Sequence, residues 1–223
     1  MRKRLALAAV LAALALPVAA ATTEAEQTYK LLFKEGTLDA VNHGSVLHYT
    51  RAVSNGAKPE AAERDSGEIA LSFDAQAEAV LANLQFLQGE KHRNIGSFPA
   101  SVGNPMIMYF YETVIRDMAE TAGGSPFYIR NRVKEALVRP AEIETGEAEL
   151  DGRTVPTRTV TLRPFAEDPN RERMMGFGDL ELRVTMSDAV PGWYLSLVAE
   201  APAAEGAEGG YLSELRFDEV AAQ

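Results

Sequence analysis

The chain of 223 residues has no cysteine and no Asn-x-Ser/Thr sequon. Without cysteine there is no disulfide and no lipid attached through a thiol, and without a sequon there is no acceptor for N-linked sugar. An exported protein lacking both points to a bacterial periplasm more than to a eukaryotic secretory route. Basic charge is also scarce: 22 Lys and Arg face 32 Asp and Glu, a formal net charge of −10. Such a chain repels nucleic acid and anionic lipid surfaces, so nucleic-acid binding is set aside. Past Ala21 no apolar run approaches the ~20 residues of a transmembrane helix. Catalytic signatures are missing as well. His43, His48 and His92 show no metal-ligand spacing such as H-E-x-x-H and read as surface or loop histidines. Ser125 in "AGGSPF" has no G-x-S-x-G elbow around it and reads as a helix N-cap, while Gly123-Gly124 reads as a linker rather than a phosphate-binding loop. No catalytic residue, metal or cofactor is expected.

The N-terminus, by contrast, is rich in signal. Met1-Arg2-Lys3-Arg4 is a basic n-region, Leu5 to Val18 an apolar run interrupted by Pro17, and Ala19-Ala20-Ala21 supplies the small residues that signal peptidase accepts. The expected division is a signal peptide over 1–21 and one domain over 22–223. Losing three basic residues makes the mature chain more acidic still. With no disulfide it must be held by its core alone, which a chain of this length can do by burying roughly 70% of its unfolded surface.

Periodicity divides the rest. Thr23-x-x-Glu26 forms a capping box ahead of "AEQTYKLLFKEG", predicting an N-terminal helix with Ala25, Tyr29, Leu32 and Phe33 on its inner face and Gly36 as its stop. From Ser45 the period becomes two: "SVLHYTRAV" places Leu47, Tyr49 and Val53 on one side, and "GEIALSF" does the same for Ile69, Leu71 and Phe73. Between them "SNGAKPEAAERDSG" reads as an exposed loop. "AVLANLQFLQ" fits a strand or a short helix. Asp151-Gly152 stands between two alternating runs and predicts a type I′ hairpin. Leu180, Leu182, Val184 and Met186 then share one face, Pro191-Gly192 turns the chain, Trp193, Leu195 and Leu197 alternate on the return, and Tyr211, Leu215 and Phe217 share a face of the last strand. Residues 142–220 are therefore predicted to be an antiparallel meander with one apolar face.

A helical hairpin over 105–138 interrupts the strands. Asn104-Pro105 and Ser125-Pro126 each supply a cap followed by a first-turn proline. The first helix, "NPMIMYFYETVIRDMAE", places Ile107, Tyr111, Val114 and Met118 on one face, widened by Met108 and Ile115, with Met106 and Phe110 toward the other side. So broad an apolar coat belongs either to a core helix or to the wall of a binding cavity, and methionine suits an adaptable wall. The candidate ligand-binding residues are Met106, Met108, Phe110, Tyr111 and Ile115, with Trp193 capping the mouth of the sheet. The second helix stripes Ile129, Val133, Ala136 and Leu137 inward and leaves Arg130, Arg132 and Lys134 in water, a basic face open to a phosphate or an acidic partner.

This order of elements resembles the periplasmic unclosed β-barrel superfamily typified by the lipoprotein carrier of the Lol system. "LELRVTMSDAVPGWYLSLVAE" also resembles the paired C-terminal strands of related periplasmic proteins, in which a polar turn follows a run like Thr185-Met186-Ser187-Asp188. The resemblance rests on element order and hydrophobic pattern and assigns no site residue. It implies an α+β fold, a single curved antiparallel sheet wrapped around the inserted hairpin, with a cavity for acyl chains. The expected function is a non-catalytic periplasmic carrier of an apolar ligand such as an acyl chain or lipoprotein. The alternative is a cell-envelope scaffold or interaction module with a packed core and an envelope protein as partner, and a hydrolase is third. If the leader is a signal peptide, intact-mass measurement of the exported protein will find Thr22 at its N-terminus; a retained Met1–Ala21 segment would mark it as an anchor instead.

Overall fold

The computed structural model describes residues 16–75, 79–204 and 206–222, and nine strands within them form one antiparallel sheet. In chain order the elements are α1 (Leu16–Leu32), β1 (Ser45–Asn55), α2 (Pro59–Asp65), β2 (Gly67–Ala75), β3 (Val80–Gln88), β4 (Lys91–Pro99), α3 (Met106–Ala122), α4 (Pro126–Leu137), β5 (Glu142–Leu150), β6 (Arg153–Leu162), β7 (Glu181–Met186), β8 (Tyr194–Ala201) and β9 (Tyr211–Ala222). Residues 1–15, which carry most of the expected signal peptide, lie outside the described residues. No helix among the described residues is long and apolar enough to cross a membrane.

The strand order is β4-β3-β2-β1-β9-β8-β7-β6-β5. Two meanders, β1–β4 and β5–β9, join where β1 pairs with β9, with Leu47 opposite Val220 and Arg51 opposite Leu215. β4 and β5 are left as free edges, so the fold is α+β with an unclosed barrel. Register shifts after His48, Leu84 and Thr185 mark bulges, which add local twist and help the sheet curl over its helices. The Asp151-Gly152 hairpin forms as expected: both residues have positive φ, 50° and 71°, as a type I′ turn requires.

Alternation explains the core. Leu47, Tyr49, Ile69, Leu71, Leu182, Val184, Met186 and Leu215 are all buried on the same face of the sheet, and α3 lies across it. Met106, Ile107, Phe110, Tyr111, Val114, Ile115 and Met118 of α3 are buried too. At 100° per residue its buried positions sweep roughly 200° of arc, more than one flat sheet covers.

Several local expectations are revised. The run 54–67 is not all loop, because Pro59 occupies the first turn of α2, the same signature that starts α3 and α4. β3 is a strand, and the polar β4 beside it carries almost no apolar alternation to predict it from. Thr23 lies inside α1 rather than at its start, so it does not cap the helix. The inward face of α1 is Thr28 and Leu32; Tyr29 is 47% exposed and stacks on Phe33 at 4.9 Å. Trp193 precedes β8 instead of belonging to it and has a positive φ of 81°.

The largest surprise is a buried ionic cluster. Arg51, 2% exposed, lies on the same face of β1 as Leu47 and Tyr49. It donates to the Asp65 carbonyl at 2.6 Å and to the Asp117 carboxylate at 3.2 Å. Tyr211 donates to that carboxylate at 2.9 Å, and Arg116 spans Asp117 and Asp65 at 2.9 and 3.0 Å. The cluster ties β1, β9, α2 and α3 together and sets a cation against the C-terminal carbonyls of α2. A second polar tie holds the excursion between β6 and β7, where buried Asp168 accepts from Tyr128 at 2.7 Å and pairs with Arg132 at 2.9 Å.

Burial acts to raise the Asp65 carboxyl, but the Arg64 hydrogen bond and the charges of Arg116 and Arg51 outweigh it and hold the group below the usual carboxylate range. Asp168 is lowered in the same way: burial opposes, and Tyr128, the Asn170 amide and Arg132 prevail. Both groups lose protons more readily folded than unfolded, so their stabilisation is complete above the ordinary carboxylate range and is lost as pH falls through the lowered folded values. Denaturant melts should therefore weaken progressively below about pH 4, and less steeply in Asp168→Asn. Arg51→Met should cost about 3 kcal/mol by leaving buried acceptors unpaired. At Gly152 an added side chain meets nothing within 4 Å, so Gly152→Val should cost about 1 kcal/mol or more through backbone strain alone; an unchanged melt would place the turn elsewhere.

Candidate functional site

At the open side of α3 the chain builds a groove of about 620 Å³. Its walls come from the end of α1 (Tyr29, Phe33), the end of β4 and the turn after it (Phe98, Val102), the start of α3 (Ile107, Met108) and the end of α4 (Leu137, Val138). Eight large apolar side chains are exposed among the described residues, and Tyr29, Val102, Met108 and Val138, half of that set, meet in this groove. Exposed apolar residues scattered singly are ordinary, whereas a gathered set marks a surface that something apolar can cover.

The frame beneath the groove is polar and tightly bonded. Asn104, 4% exposed, accepts from the Met106 amide at 3.0 Å just ahead of α3, where Pro105 rather than Asn104 takes the N-cap position. Its amide nitrogen donates to the Tyr49 hydroxyl at 3.0 Å and the Gly192 carbonyl at 2.8 Å, and its backbone N–H donates to Thr37 at 2.9 Å. Burial pushes the Tyr49 phenol well above its ordinary value, so it stays neutral in this network. Gly103, at φ 125°, lets the turn approach α1: a Cβ there would lie 2.9 Å from the Lys34 carbonyl. The last carbonyls of α1 are capped by side chains from the turn before β8 and from its first residue. Trp193 Nε1 donates to Leu31 at 3.1 Å and the Tyr194 hydroxyl to Leu32 at 2.7 Å.

The charged residues of the lining are Lys34, Glu35 and Lys134, all exposed. Lys34 is committed to Asp188 at 2.6 Å and lies 4.0 Å from the Trp193 ring centroid. A second hollow, of about 670 Å³ and more polar, opens on the other side of Trp193 between the 36–45 loop, the 187–193 turn and the end of β9.

The expected site residues are divided among these places. Met106, Phe110, Tyr111 and Ile115 are 0–3% exposed, packed between α3 and the sheet, where Leu47, Tyr49 and Leu215 fill the space. Met108, 46% exposed, alone of the helix candidates lines the groove. Trp193 is 3% exposed, holds α1 and lines the second hollow. On α4 Lys134 stays in water, while Arg130 and Arg132 are half-buried and already paired. Arg130 is bonded to Glu112 at 2.6 Å, and Arg132 is paired with Glu135 and Asp168, so these carboxylates already occupy the guanidinium groups an anion would need. His48 is bonded to Glu68 across β1 and β2, and His43 rests against Phe73. Among the described residues no group of three or more His, Asp or Glu is placed to hold a metal ion. From the sequence Tyr29 and Phe33 are read only as the inner face of the N-terminal helix, and Val102 and Val138 are not singled out. The i, i+4 aromatic pair on α1 and an apolar valine in a polar turn were the available signals.

No family model matches the sequence, and no curated protein matches it at a significant level. Among solved structures the chain is similar to the lipoprotein LppX of Mycobacterium tuberculosis, at 11% identity and a TM-score of 0.30, over 90% of this chain and 94% of that one. Neither fold nor function transfers at that level of likeness.

Proposed function

We propose that the protein is a non-catalytic periplasmic carrier that holds an extended apolar ligand, such as an acyl chain, in the groove beside α3. The observation that carries this reading is the gathering of Tyr29, Val102, Met108 and Val138, exposed and otherwise uncovered, around one opening of ligand size. The leader of residues 1–21, the absence of cysteine and the acidic charge support a periplasmic setting. The carrying surface is the outer flank of α3, not the space between α3 and the sheet. The packed interior gives the scaffold reading its support: the same groove would take the apolar side chains of an envelope protein.

A fluorescent acyl probe separates the two sides of the helix. Met108→Asp and Val138→Asp change exposed side chains, so melts should move by about 0.5 kcal/mol or less, while probe affinity falls about tenfold or more. Ile115→Ala should cost about 2–5 kcal/mol and leave the affinity as it was. If the wild type binds no probe the carrier reading fails. If Ile115→Ala alone disturbs binding, the ligand lies inside the core.

A further inference from the structure

The groove beside α3 is apolar along its walls, and the three charged residues of its lining differ in what already holds them. Lys34 is bonded to Asp188. Glu35 follows α1 on the opposite wall, where its backbone lies against the turn at Gly103. Lys134 comes one turn before Val138, about 40° from it around α4, and is exposed. Its ammonium forms no ion pair among the described residues, and the carboxylate beside it is taken. Glu112, one turn past Met108 on α3, accepts from Arg130 at 2.8 and 2.6 Å. Those hydrogen bonds, opposed by burial and helped by the charges of Arg130 and Lys134, hold the Glu112 carboxyl below its usual range. Two cations therefore face one carboxylate. The side of the groove built by α3 and α4 carries an uncompensated positive charge next to the exposed Met108 and Val138.

A free cation beside a gathered apolar surface matches a molecule with an apolar tail and an anionic head. Lysine suits the task, because its stem can cover apolar wall while the ammonium stays in water to meet the head group. It presents a compact point charge with three donors, so it takes a carboxylate or a phosphate equally well. Glu35 gives the ligand a direction, since an anionic head is repelled from the α1 wall and drawn to α4.

We infer that the groove selects amphiphiles with an anionic head group, which Lys134 binds while Met108, Val138, Tyr29 and Val102 cover the tail. The inference rests on the carrier reading and adds to it the sign of the head.

Four dodecyl ligands that differ only in the head, a carboxylate, a phosphate, an alcohol and a trimethylammonium, test it by displacing an uncharged fluorescent alkyl probe. An exposed ion pair contributes modestly, so Lys134→Met should weaken the carboxylate and the phosphate about threefold and Lys134→Glu about tenfold. The alcohol should stay within about twofold, and the trimethylammonium should bind Lys134→Glu more tightly than the wild type. The larger of the two anion losses names the head group. Added salt should weaken both anions in the wild type and not the alcohol. Lys91→Glu makes the same change of charge at the start of β4, about 23 Å along the strand from Phe98, and should leave every affinity as it was. Lys134 and Lys91 are exposed, so melts of all three variants should match the wild type. A Lys134→Glu effect shared by all four heads, an equal effect of Lys91→Glu, or an alcohol that binds where neither anion does would overturn the inference and leave the carrier reading standing. If neither the probe nor any dodecyl ligand binds, both fail together.

Discussion

An α-helix that is apolar over more than half its circumference cannot rest on a flat surface, and α3 imposes that condition on everything around it. The nine-stranded sheet answers it by curling, with bulges at Ile95 of β4, Leu195 of β8 and Asp218 of β9 supplying extra twist. α1 and α4 cover much of what the sheet does not reach. What remains uncovered is a narrow strip at the start of α3 centred on Met108, next in angle to buried Ile115. The groove is the place where coverage of this helix stops.

Polar groups fix where it stops. Asn104 joins the start of α3 to β1, to the turn before β8 and to the loop after α1, and each of its bonds satisfies a group that burial would otherwise leave unpaired. At the other end of α3, Asp117 meets Arg51, Arg116 and Tyr211. Pinned at both ends, the helix has little freedom to shift in the sheet, so the groove beside its first turns keeps its shape. The indole and phenol of Trp193 and Tyr194 hold the end of α1, the opposite wall, in the same manner.

Strands and helices were legible wherever one physical signal dominated. Period-two alternation through 180–186 and the Asp151-Gly152 turn specified their elements completely, and proline after a capping residue marked α3 and α4. The same proline signal at Pro59 was hidden by the polar composition of α2. β4 escaped because an exposed edge strand has no need of alternation. Arg51 was passed over although the alternation of Leu47 and Tyr49 points it inward, because a charged residue reads as solvent-facing until its partners are known, and Asp117 and Asp65 are remote in sequence. The site was only partly legible for a related reason. Periodicity finds residues that a fold buries, so it selected Met106, Phe110, Tyr111 and Ile115, which fill the core, together with Met108, which does not. The other exposed apolar groove residues, Tyr29, Val102 and Val138, lie on three separate segments, and only the fold brings them together.

The groove and the core therefore make different demands on one short helix, and its methionines report on each. Met108 faces the groove, while Met106 and Met118 are buried against the sheet. Protein labelled with carbon-13 at its methionine methyls, titrated with a long-chain fatty acid and followed by NMR, reads both sides in one experiment. The account predicts that the Met108 methyl resonance moves with saturable dependence on ligand while those of Met106 and Met118 stay in place. Movement of Met106 and Met118 with Met108 unchanged would put the ligand between helix and sheet and contradict it.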